Sequence, residues 1–152
     1  MHDPIDIESL ERATLDAKRK ADAEQTARLA EEKRKERALL SRYPNEAAHQ
    51  RERAKALESV DVVENTIQKR IEELVKLRAG LDDEMAFYAK DPAKAPPLLK
   101  RKIKDNESLV SAQQNALKQQ GAERQRVNER FDAELEQLRR LWTQAAAGQA
   151  AR

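Results

Sequence analysis

Asp91-Pro92-Ala93-Lys94-Ala95-Pro96-Pro97 decides how this chain folds. Three of the chain's five prolines fall within six residues here. A proline lacks the backbone N–H and crowds the preceding turn, so no helix continues through the stretch. On either side lie helically patterned arms of matching length, Asn45 to Lys90 and Leu98 to Trp142. At 1.5 Å per residue each would reach roughly 67 Å. Two equal arms about a short Pro-rich turn predict an antiparallel helical hairpin.

Stepping along the first arm by alternate fours and threes gives Arg53, Leu57, Val60, Glu64, Ile67, Ile71, Leu74, Arg78, Leu81, Met85 and Tyr88. Eight of the eleven are apolar, which supports a coiled-coil seam of period 3.5. The second arm reads Leu99, Ile103, Asn106, Val110, Gln113, Leu117, Gln120, Arg124, Val127, Phe131, Glu134, Leu138 and Leu141. Its middle layers are polar, and Leu135 and Trp142 flank its end. Folding the arms about Lys94 pairs Met85 with Ile103, Ile71 with Leu117, Val60 with Val127 and Leu57 with Phe131. It also sets Glu64 against Arg124. These are charged seam positions of opposite sign, and such a pair can fix register.

From Ile5 to Tyr43 the sequence is charged and rich in alanine. Ile5 and Leu10 start an apolar stripe that continues only as Ala13, Ala17, Ala21 and Ala27. Glu8 with Arg12, Asp16 with Lys20, Glu24 with Arg28 and Glu31 with Lys35 are spaced to support a helix, at about 0.2–0.5 kcal/mol each. Pro44 breaks it. The expected organisation is a frayed start at Met1–Pro4 within a charged helical segment 1–43, a hairpin over 44–142 turning at 91–97, and a disordered tail over 143–152. The fold expected is all-α, an elongated antiparallel coiled-coil hairpin preceded by a long charged helix.

Composition supports a narrow seam over a globular core. Charged residues make up 38% and aromatics 3%, too few large apolar groups to fill a three-dimensional interior. The charge is balanced, 30 basic against 28 acidic, which argues for helix over disorder. With no cysteine, disulfides and thiolate ligands are excluded. No apolar run approaches a membrane span. Met1-His2-Asp3-Pro4 does not read as a signal peptide, so the chain as written is expected in the cytoplasm, and in the periplasm or envelope if a signal has been removed.

Candidate chemistry is sparse. His2 and His49 are far apart with no ligand-spaced neighbours, and His49 reads as a surface residue. No glycine-rich loop cradles a phosphate, and no serine or threonine has a base in register. Asp82-Asp83-Glu84 reads as a solvated face, because adjacent carboxylates point to different sides of a helix. Gly80 and Gly121, inside the arms, read as places of close helix approach or as neutral. No catalytic, cofactor or metal site and no small-molecule substrate are expected, and the chain does not read as an enzyme. The one basic cluster is Lys100, Arg101, Lys102 and Lys104. Residues 93–152 carry twelve basic and seven acidic side chains, whereas residues 44–92 carry eight and eleven. Complementary arms explain this first, and an anion-binding tip for nucleic acid or anionic lipid is the alternative.

From about Lys33 the chain resembles a group of uncharacterised proteobacterial helical proteins. The matching residues are Arg37-Ala38-Leu39-Leu40 with Tyr43, Arg51-Glu52-Arg53-Ala54 with Leu57, Ala86-Phe87-Tyr88, Pro97-Leu98, and Arg130-Phe131-Asp132 with Leu135. The resemblance implies a helical hairpin. Relatives often carry a signal peptide, which implies the cell envelope. The architecture is also similar to the coiled-coil stalk proteins of flagellar and type III export. The function expected is structural or scaffolding, through a protein partner or self-association. An export-type chaperone or stalk, and a salt-dependent nucleic-acid or anionic-lipid binder acting through the basic tip, are the alternatives.

Overall fold

The computed structural model describes residues 6–151. Met1–Pro4, with the frayed start expected there, lies outside the described residues, as do Ile5 and Arg152. The chain is all-α and 92% helical, with three α-helices and no strand among the described residues. They are α1 (Ile7–Arg42), α2 (Glu46–Ala86) and α3 (Pro97–Ala150), with a 3-10 turn at Pro92–Lys94 ahead of α3. Helices α2 and α3 pack against each other as a hairpin.

The helix ends follow from local chemistry. At the start of α1 the Asp6 carboxylate accepts the Glu8 N–H at 3.1 Å and the Ser9 hydroxyl at 2.8 Å. These bonds, the Ser9 hydroxyl foremost, hold the Asp6 carboxyl below its ordinary range. At its end the Tyr43 N–H closes on the Leu39 carbonyl at 2.9 Å, and Pro44 stops the helix. Helix α2 unwinds at Ala86, earlier than the expected Lys90. Phe87, Tyr88 and Ala89 there donate to the carbonyls of Glu84, Met85 and Ala86, three residues back, which tightens the backbone into turns. Helix α3 begins at Pro97 itself, where a missing N–H costs nothing.

The tail expected to be disordered is helical through Ala150. Its Thr, Gln and Ala residues carry no break before Gly148, and the Thr143 hydroxyl donates to the Arg139 carbonyl at 2.8 Å.

The chain divides into two compact units, one formed by the segment up to Glu46 with the segment from Glu136, the other by Ala47–Leu135. The boundaries expected from the sequence were at 43 and 142. In the first unit the Trp142 indole donates to the Tyr43 carbonyl at 2.9 Å, and Arg139 reaches Glu46 at 2.7 Å. Tyr43, Leu138 and Leu141 are buried there, so Leu138, expected in the hairpin seam, belongs to this unit. Helix α1 buries none of its residues, and its alanine stripe is exposed throughout.

The second unit is the hairpin. Val60, Ile67, Leu74, Leu99, Val127, Phe131 and Leu135 are buried. Leu57, Ile71, Leu81, Met85, Ile103, Val110 and Leu117 are half-buried, as are Arg53, Glu64, Arg78 and Arg124. Every position picked out by the 3.5-residue step within this unit therefore turns away from solvent. Fully burying a leucine such as Leu74 is worth about 1.5–3 kcal/mol.

Candidate functional site: an open face on the hairpin

The seam contains polar layers that set its register. Arg78 reaches Glu107 at 2.8 Å, Arg53 reaches Asp132 at 2.7 Å, and Arg124 reaches Asp61. In each pair the residue numbers total 185, so these contacts mirror about the Asp91–Lys94 turn near Pro92. Folding about Lys94 had implied a centre about two residues later. The displacement follows from the early end of α2 at Ala86 and the start of α3 at Pro97. Phe131 shows the consequence. Its ring lies 5.1 Å from the His49 ring, with the Arg53 guanidinium 5.7 Å away, about a turn before the Leu57 partner expected.

Glu64 and Arg124 nevertheless meet, at 3.2 Å, because the arginine is long enough to span the shift and share itself with Asp61. Hydrogen bonds to Asp61 and then Glu64 hold its guanidinium above its ordinary pKa. In a double-mutant cycle, Glu64→Ala and Arg124→Ala are expected to be non-additive in denaturant unfolding. The coupling should grow when Asp61→Ala makes Glu64 the sole acceptor, and strict additivity in both backgrounds would break the assignment.

Asn106 is buried in the seam and donates its amide to the Leu74 carbonyl at 2.9 Å. A polar group at such a position specifies alignment at some cost in stability. His49, read from sequence as a surface residue, is instead fully buried. Its Nε2 lies 3.2 Å from a Glu134 carboxylate oxygen. The seam pattern gave no signal for it, since the step before Arg53 falls on Gln50, one residue away from His49.

The residues expected at a basic tip, Lys100, Arg101, Lys102 and Lys104, are all exposed. Among the described residues none of them makes an ion pair within 4.0 Å, nor does Asp83 or Glu84. Asp82 is held by Arg78 at 2.8 Å. Among the described residues no group of three or more His, Cys, Asp or Glu is placed to hold a metal, and no helix is long and apolar enough to cross a membrane.

What sequence reading passed over is a second apolar line beside the seam. Leu77 is 57% exposed and Leu109 is 47% exposed, and Val63 and Val75 are also open. Leu77 and Leu109 line a groove of about 540 Å³ between α2 and α3. Leu74 and Leu81 form its floor, and Arg70, Glu84, Lys102 and Asp105 stand around it. Gly80 opens it further, since a Cβ added there would meet nothing within 4 Å. The sequence held little signal for it, because the seven-residue lines through Leu77 and Leu109 also carry Arg70, Glu84 and Lys102. A smaller hollow of about 280 Å³ lies beside Val75 and Val110.

No family model matches the chain, and searches of curated proteins and solved structures return no match.

Proposed function

We propose that the protein is a structural or scaffolding coiled coil that acts through helix-to-helix contact, with the open hairpin face as its docking surface and without a chemical step. The observation that carries this is the groove between α2 and α3, where Leu77 and Leu109 remain in solvent although the seam beneath them is closed. Apolar side chains framed by charges on a helical hairpin suit another helix, whose own side chains would fill the groove.

Photo-crosslinking amino acids placed at Leu77 and at Leu109 in cells test the reading. Protein adducts are expected at both positions and not at the exposed Lys69 control. No adduct at either groove position would overturn the scaffold reading.

A further inference from the structure

The occupant of that face can be named from its charge and register. We propose that it is a second copy of this chain, docked face to face with the two hairpin tips at the same end. The inference rests on the helix-docking reading above and supplies its partner.

Three features of the hairpin lead to this arrangement. The first is polarity across the groove. Between Arg70 and Ala86, α2 carries three basic and five acidic side chains. Between Pro97 and Ala116, α3 carries four basic and two acidic. One rim of the groove ends in Glu84 and the other in Lys102. The clusters behind them, Asp83–Glu84 on one side and Lys100, Arg101, Lys102 and Lys104 on the other, lie level with each other across the hairpin, yet none of the six is ion-paired among the described residues.

The second feature is the levels at which the exposed apolar residues stand. The register that joins Arg78 to Glu107 sets Leu77 within one residue of the level of Leu109, and Phe87, just past the end of α2, level with Leu98. Phe87 is 87% exposed and Leu98 is also open. Leu77 and Phe87 thus each have an exposed apolar counterpart on α3, whereas Val75 stands level with the half-buried Val110.

A two-fold axis along the hairpin keeps levels and exchanges helices. It sets Leu77 on Leu109 of the second copy, Glu84 on Lys102 and Phe87 on Leu98, and then repeats each contact. The acidic stretch of α2 faces the basic stretch of α3 twice. A two-fold across the hairpin would instead stack α2 on α2 and α3 on α3. Centred on the groove, it sets Arg70 across from Glu84, but it also sets Asp82 across from Glu72 and Lys100 across from Lys118, and it stacks the net acidic stretch of α2 and the net basic stretch of α3 each on its own copy. Like charges so placed disfavour it.

The third feature is Gly80, beside the groove, where the absence of a side chain leaves room for a neighbouring backbone.

Light scattering behind a sizing column, on the full chain at about 100 μM, should give twice 17.4 kDa. Leu77→Glu with Leu109→Glu should give the monomer. So should Gly80→Trp, since a Cβ at Gly80 meets nothing within 4 Å in the single chain, and the far-UV helical signal should stay intact. Glu84→Lys should raise the dimer Kd tenfold or more at low salt, and adding Lys102→Glu should recover most of that loss. Because the chain has no cysteine, Lys94→Cys carries a single spin label. Tips together place two labels within about 20 Å, and the crossed arrangement beyond about 30 Å.

A wild-type monomer at that concentration, labels far apart, or a dimer indifferent to the groove and charge variants would each overturn the proposal. A monomer that is photo-crosslinked at Leu77 to a different protein would overturn the dimer and leave the helix-docking reading standing. Binding to anionic vesicles or to nucleic acid in place of self-association would also overturn it.

Discussion

Phe131→Ala is expected to lower the unfolding free energy by about 3–5 kcal/mol, the cost of truncating a buried aromatic and leaving a cavity. Total stabilities of natural domains are about 5–15 kcal/mol, so this single change removes a large share. Phe131 is buried, and the His49 ring packs against it at a 59° tilt. The guanidinium of Arg130 lies 5.0 Å from the ring centroid and that of Arg53 5.7 Å. Truncation therefore opens a void beside a buried histidine and strips two cations of the ring face they rest on. Urea unfolding followed by circular dichroism, at one fixed chain concentration, gives the number. Val75→Ala, at an exposed site of the same hairpin, should stay within about 0.5 kcal/mol. A loss below about 1 kcal/mol for Phe131→Ala would mean that the ring is not part of the core.

The second large effect has the opposite sign. Arg53→Met is expected to raise stability by about 1–3 kcal/mol. Arg53 Nη1 donates to Asp132 at 2.7 Å, but Nε and Nη2 are buried without an acceptor. Each unsatisfied buried donor costs about 1–3 kcal/mol, and replacing a poorly satisfied buried charge by an apolar side chain of similar length is often neutral or stabilising. Methionine keeps the aliphatic reach toward Phe131 and removes the stranded donors. Asp132 is 67% exposed, so losing its partner leaves it solvated. Arg53→Ala should instead destabilise, because it removes the packing along with the charge. The same urea experiment separates the two. If Arg53→Met proved as destabilising as Arg53→Ala, the guanidinium would have acceptors that offset its burial.

The hairpin was legible in the sequence because its cause is local and periodic. Three prolines between two arms forbid a continuous helix, and a 3.5-residue step brings Leu57 through Met85 onto one line whatever the partner. The buried polar residues were less legible. Asn106 fell on the seam pattern, but a lone Asn could equally have marked a weak layer, and only its bond to the Leu74 carbonyl gives it a role. His49 was misread because its burial comes from Phe131 and Glu134, far away in sequence. The open face went unnoticed because Leu77 and Leu109 are ordinary single apolar residues in the chain. They become a groove when α2 and α3 are set side by side.

By itself, then, the amino-acid order determined the two helical arms, the break at Pro44, the hairpin turn and the identity of the seam. Each of these depends on interactions a few residues apart or on a repeat carried by one helix. Tertiary structure alone decided the register, the unit formed by Tyr43, Glu46, Arg139 and Trp142, and the burial of Leu138 within it. Those depend on where α2 stops. Three backbone bonds after Ala86, each reaching three residues back, end the helix a turn early, and every contact across the hairpin moves with it.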